Sequence, residues 1–237
     1  MFVAVRALLR VARHVRRHGA AATAQRIMEQ ALRLVHVHER HVWYVLPLGA
    51  EYPHRSMPAG LELLQGISGD IPLLEQLDTV PEQTARTRLS AGTELWLARE
   101  GPRAAFACWI FHGQAPVLAA RKGWLELPTG MAVLEDSVTH PDFRGRGVAP
   151  AVWAAVADSL SATGVTHLVT KVDETNKPSQ RAVEKAGFEV IATVDFLRVT
   201  AARRIRVAPT DLGGRLASCR VTFRRSLRPT LWIQSVR

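Results

Sequence analysis

A mixed α/β fold is predicted for this 237-residue chain, because its apolar pattern switches repeatedly between a period near 3.6 and a period of 2. Gly- and Pro-containing breaks separate the switching segments. The composition, 47% apolar and 22% charged, is that of a globular chain long enough to bury a core. From residue 41 the predicted order is strand, two helices, three strands, helix, strand, helix, strand, with no internal repeat and no low-complexity linker.

The opening segment, MFVAVRALLRVARHVRRHG, separates on a helical wheel. Phe2, Val5, Leu8, Leu9, Val11, Ala12 and Val15 fall on one side, and Arg6, Arg10, Arg13, Arg16 and Arg17 on the other. Gly19 ends this helix, and a second helical pattern runs through Ile27, Ala31, Leu34 and Val35. Together they predict a basic helical hairpin to residue 38. The expected organisation is therefore an appendage over 1–40 and a main domain over 41–237. The hairpin reads as a docked appendage with a solvated arginine face, as an interfacial helix meeting an anionic membrane surface, or as a phosphate-binding face. His36, His38 and His41 have no matching cluster elsewhere, so surface histidines rather than a metal site are expected.

HVWYVLPL, from His41, alternates as a strand does, and a Gly- and Pro-containing loop follows over 49–69. Short helices are predicted over 71–77 and 81–90, the second with proline at its first position. TELWLARE and RAAFACWIF are β-rich runs joined through Gly101-Pro102, a hairpin signal. A tryptophan-containing excursion, APVLAARKGWLELPTG, leads to the strand MAVLEDSVTHP. The apolar helix that follows runs to Ala162 before Gly164, and THLVTKV is the next strand. A helix over 178–186 and the strand FEVIATVDFLRV complete the series, with RRIRVA and CRVTF as further strand candidates in a basic tail.

A formal charge of +10 favours an anionic partner: nucleic acid, an acidic membrane or a phosphorylated cofactor. No series of stacking aromatics interleaves the arginines, which argues against nucleic acid. Cys108 and Cys219 match no disulfide or metal spacing and read as free thiols of a reducing compartment, so a cytoplasmic location is expected. No apolar run reaches about 18 residues, the length that spans a bilayer. The Arg-interrupted opening is unlike the apolar core of a secretory signal, although an organelle transit peptide shares its acid-free, Arg-rich character.

The stretch FRGRGVAPAVW, residues 143–153, places two glycines and two arginines between a strand and an apolar helix. Glycine lets the backbone curl with its amides inward, and the helix adds unpaired N–H groups and the positive end of its dipole. Such a turn is an anion site, with Arg144 and Arg146 supplying fork-shaped donors suited to phosphate oxygens. Pro150 stands where a dinucleotide fingerprint has its third glycine, and no Gly-Lys-Ser/Thr P-loop is present.

Downstream lies NKPSQRAVEKAGF, residues 176–188. Together with LEDSVTHPDFRGRGVA it resembles the GNAT superfamily of N-acetyltransferases, whose acetyl-CoA signature R/Q-x-x-G-x-G/A here reads Arg144-Gly145-Arg146-Gly147-Val148-Ala149. The resemblance covers about 41–199 and implies an α/β (α+β) fold with a mostly antiparallel central sheet and flanking helices. It implies acetyl-CoA, or another acyl-CoA, as cosubstrate, an amine acceptor and no metal. By the same resemblance, Arg144 to Ala149 hold the pyrophosphate, and the backbone of Val138 and Thr139 pairs with the pantetheine arm. Asn176 contacts the cofactor beside Ser179, and Lys185 or the arginines neutralise the adenosine phosphates.

By the same resemblance the candidate base is Glu135, which stands where several amine acetyltransferases of the family carry a Glu-Asp pair before this turn, with Asp136 on the opposite face of a regular strand. Simple surface roles, or balancing of Arg144, stay open for both carboxylates. Where many members carry a tyrosine acid this chain has Val183, and its only tyrosines are Tyr44 and Tyr52. His140 is the candidate substitute acid, and a structural loop histidine is the alternative. The acceptor is expected against the loops 49–69 and 114–130, and the C-terminal strands offer a homodimer contact. Three functions stay open: an N-acyltransferase, a CoA-binding module without turnover, and a membrane or nucleic-acid binder using the basic hairpin.

Overall fold

The computed structural model describes residues 36–49, 51–77, 79–116, 123–126, 128–199, 202–210, 221–223 and 233–235. The predicted helical pattern up to residue 35, and Cys219, lie outside them. The described chain is a mixed α/β domain on a nine-stranded sheet.

Strand β1 spans His36–Pro47, starting five residues before the predicted change of period. Residues 36–40, expected to belong to the appendage, instead extend β1 along β9 (Glu189–Val199), with Val37 buried opposite Arg198. The His-Val-His alternation already has the strand period, and a full row of ladder hydrogen bonds outweighs a helical pattern continuing from Val35. A second departure is β2 (Glu62–Gly66), inside the segment expected to be loop, which pairs with β3 (Glu94–Glu100) at the sheet edge. Between these strands lie the short helix α1 (Ile71–Leu74) and α2 (Glu82–Ser90).

The remaining sheet strands are β4 (Arg103–His112), β7 (Met131–Thr139), β8 (His167–Asp173) and β10 (Ala202–Pro209), with β12 (Ile233–Ser235) at the far edge. The order is β12-β10-β9-β1-β8-β7-β4-β3-β2. Pairing is antiparallel except for β7–β8 and β10–β12. A separate small sheet joins β5 (Gln114–Pro116), β6 (Gly123–Glu126) and β11 (Val221–Phe223). β1 is therefore central, threaded between β8 and β9.

Strand alternation divides the core into two layers. Trp43, Val45, Leu95, Leu97, Trp109, Phe111, Val133 and Val169 face one way and pack with Ile71, Leu74 and Ala85 of α1 and α2. Tyr44, Leu46, Phe106, Ile110, Leu134 and Leu168 face the other way. They pack under α3 (Val148–Ala162) and α4 (Lys177–Lys185) through Val152, Trp153, Val156, Leu160 and Val183. The apolar helix predicted after the glycine turn is α3, and its burial follows from eight inward residues in fifteen. No helix among the described residues is long and apolar enough to cross a membrane.

Candidate active site

The site forms where β7 stops pairing with β8. Met131 to Leu134 match His167 to Thr170 in parallel register, and the ladder ends there although both strands continue. On its other side β7 stays bound to β4 through a bulge: Glu135 faces Trp109, and the next pair is Val138 with Ala107. The extra residue lies at Asp136–Ser137, where Asp136 has φ 48°. Thr170 closes the apex of the opening by donating its hydroxyl to the Leu134 carbonyl at 2.9 Å.

The bulge overturns the expectation that Asp136 faces away from Glu135. Asp136 Oδ2 meets Arg88 Nη2 of α2 at 2.7 Å, and the Arg88 guanidinium lies 5.1 Å and 5.2 Å from the ring centres of Trp109 and Phe111. Both rings belong to the layer that carries Glu135, so the inserted residue brings the second carboxylate to the same side.

Glu135 is not free. Lys171, the first β8 residue beyond the paired segment, donates its Nζ to Glu135 Oε1 and, at 2.8 Å, to the Pro116 carbonyl. That ammonium also sits 5.7 Å from the Trp43 ring centre. The side chains of the pair are 8% and 10% exposed. Burial raises the Glu135 carboxyl above its ordinary value, and Lys171 pulls against that shift. Nearby, burial and then Lys171 lower the His41 imidazole, with Asp173 opposing. Among the described residues, Trp109 Nε1, Arg88 Nη1 and His41 Nδ1 are buried without a hydrogen-bond partner.

At the other end of β7 the chain turns through Gly145 (φ 76°) and Gly147 (φ 77°), the latter capping α3. Both are left-handed positions that glycine adopts without strain, and a Cβ at either would meet nothing within 4 Å. Among the described residues no acceptor takes the amides of Gly145, Arg146, Gly147, Val148 and Ala149. This is the cradle an anion needs. The arginines beside it are turned to protein groups. Arg144 Nε donates to the Thr139 carbonyl at 3.3 Å, and Arg146 lies over Phe143 at 4.9 Å with Glu100 3.8 Å away.

Asn176 caps α4, its side chain accepting from the Ser179 amide at 3.2 Å. Val138 and Thr139 are half-buried on the unpaired edge of β7. His140 caps the turn after β7: Nδ1 accepts from the Asp142 amide at 3.3 Å, and the ring meets Phe143 edge-on. Val183 is buried in the α3–α4 layer. Tyr44 donates to Glu184 at 3.3 Å and Tyr52 to Asp158, and burial with these carboxylates pushes both hydroxyls to about 12. No group of three or more His, Cys, Asp or Glu among the described residues is placed to hold a metal.

Residues 71–188, about half of the chain, match the model of the acetyltransferase (GNAT) family. The chain belongs to the GNAT superfamily. Its fold is shared with a GCN5-related N-acetyltransferase from Sphaerobacter thermophilus, at 18% identity and TM-score 0.50, over 78% of this chain and 56% of that one. A GNAT-family protein from Novosphingobium aromaticivorans is similar over 67% of this chain and 63% of its own, at 19% identity and TM-score 0.48. This GNAT chain thus spans less than two thirds of either relative's length. No curated protein matches it in sequence.

Sequence reasoning named the glycine turn and Glu135 as candidates and did not name Lys171, Arg88 or Trp109, which the fold brings to the same place. Lys171 did leave a signal. It is the single charged residue within the run LVTKV, on the face it shares with buried Val169.

Proposed function

We propose that this GNAT protein is an acyl-CoA-dependent N-acyltransferase that moves an acetyl group to an amine of a small molecule or peptide. One observation carries the reading: β7 parts from β8 with a run of unpaired amides at one end and a buried carboxylate at the other. The residues fit the cosubstrate, since the turn offers donors to a pyrophosphate and the β7 edge offers backbone to an extended arm. When bound, acyl-CoA supplies the acyl group as a thioester.

The chain's own residues do the rest. The amides of residues 145–149 hold the phosphates, and the free edge at Val138 and Thr139 orients the arm. Asn176, its oxygen committed to the α4 cap, turns its NH₂ to the cofactor. Glu135 takes the proton that an ammonium acceptor must lose before it attacks. Arg88 and Asp136 line the acceptor side beside Trp109 and Phe111. Val183 has no proton to give, so the leaving sulfur takes one from solvent or from Glu135.

The test is thiol release from acetyl-CoA with a panel of amines. Amine-dependent release is expected, slowed by about 10²- to 10⁴-fold in Glu135→Gln. Acetyl-CoA binding without release by any amine would instead support a CoA-binding module without turnover. That second reading is favoured by the grip of Lys171 on Glu135.

A further inference from the structure

We propose that Lys171 is a self-acylation site: with acyl-CoA in the β7–β8 opening, the chain transfers one acyl group to its own Lys171 Nζ. This rests on the acyl-CoA reading above. Glu135 and Lys171 are the first residues past the last paired position, one on each strand. From Thr139, beside the glycine turn, to Glu135 is about 13 Å of strand at about 3.3 Å per residue. An arm laid along β7 from that turn therefore brings its thioester to this pair.

An acceptor amine must reach a carboxylate at this place, and the Lys171 amine is already there. Its Nζ donates to Glu135 and is kept from swinging away by the Pro116 carbonyl and the Trp43 ring. Burial raises the Glu135 carboxyl above its ordinary value, which suits it to take a proton from the amine it already touches. The other charged or titratable groups acting on the pair are Asp136 on β7, Arg88 on α2 and His41 on β1, with Asp173 of β8 acting on His41. Lys177 and Lys185, by contrast, are exposed.

The step balances without an oxidant or reductant. Glu135 takes one proton from Nζ, and the freed lone pair forms the N–C bond to the acyl carbon. The C–S bond breaks, its electron pair leaves on sulfur, and the sulfur takes the proton from Glu135; the acylated nitrogen then passes its second proton to the same carboxylate, which releases it to solvent. The products are acyl-Lys171 and the CoA thiol. The amide no longer carries a charge for Glu135, so the modification ends the ion pair and resets the carboxylate that an external amine would use.

The experiment is incubation of the full chain with acetyl-CoA, followed over time by intact mass and peptide mapping, beside calorimetric binding of acetyl-CoA. The chain has four lysines, Lys122, Lys171, Lys177 and Lys185, so the exposed ones report uncatalysed acylation within the same sample. One acetyl group is expected at Lys171, arriving before any at Lys177 or Lys185. It should be absent in Lys171→Arg, lost in Gly147→Trp, and slowed about a hundredfold in Glu135→Gln. If acetyl-CoA binds and Lys171 gains acetyl no faster than Lys177 and Lys185, self-acylation is overturned and the cofactor site stands. If acetyl-CoA does not bind, both fall together.

Discussion

From Met131 to Leu134, β7 pairs with β8 and every side chain is buried; from Glu135 to Thr139 the same strand pairs with β4 alone and carries a carboxylate pair and a bulge. The sequence changes at the same point, from MAVL to EDSVT. A run apolar on both faces suits a central parallel strand. Polar residues on a central strand need partners or water, and here they find Arg88, Lys171 and an open edge. The sheet parts where its apolar sequence ends, and that parting leaves one strand's backbone free for a ligand.

The largest way to disturb this contrast is to remove the cation from the open half. Lys171→Met should cost about 3–5 kcal/mol at neutral pH, because Glu135 is left buried and unpaired. Urea unfolding measures it, and Glu135→Leu added to Lys171→Met should restore most of the loss. The deficit of the single variant should also depend on pH. Burial holds the Glu135 carboxyl above its ordinary 4.5, so the folded state binds the proton more tightly than the unfolded chain does. Stability of Lys171→Met should therefore fall as pH rises above 4.5 and recover below it. A flat profile would mean that water reaches the carboxylate.

Thr170→Val sharpens the boundary between the two halves. The substitution keeps the shape but leaves the Leu134 carbonyl without its hydroxyl donor, and about 1–3 kcal/mol should be lost in the same unfolding assay. No loss would place water at the apex. Asn176→Ala should cost about 1 kcal/mol as a lost helix cap, together with weaker acetyl-CoA binding. Arg86→Ala, far from the seam, breaks only an exposed pair with Glu82 on α2 and should change stability by less than about 0.5 kcal/mol.

The same seam marks what was legible in the sequence. Strands β3, β4, β7, β8 and β9 and helices α3 and α4 follow from apolar periodicity because each buries a regular face. β2 escaped because ELLQG is short, lies at the sheet edge and buries only Gly66 fully. The face of Asp136 was misjudged because alternation assumes a regular strand, and a bulge adds one residue without any marker in EDSV. Glu135 and Lys171 meet across 36 positions, in a register set by the parallel pairing of Met131–Leu134 with His167–Thr170 across the α3 crossover, so their pairing exists only once the sheet is assembled. The glycine turn was readable because its chemistry is local: two left-handed positions and a helix start within a few residues.

The most direct test of the central claim is calorimetric titration of the full chain with acetyl-CoA, wild type against Gly147→Trp, at low and high salt. Gly147 has φ 77° and open space around it, so a side chain there strains and covers the turn while leaving the core untouched. Saturable binding by the wild type, weakened by salt and lost in a variant whose melting temperature is nearly unchanged, is the predicted result. Equal binding by both proteins, or none by folded wild type, would contradict the assignment of the glycine turn and the β7–β8 opening as the acyl-CoA site.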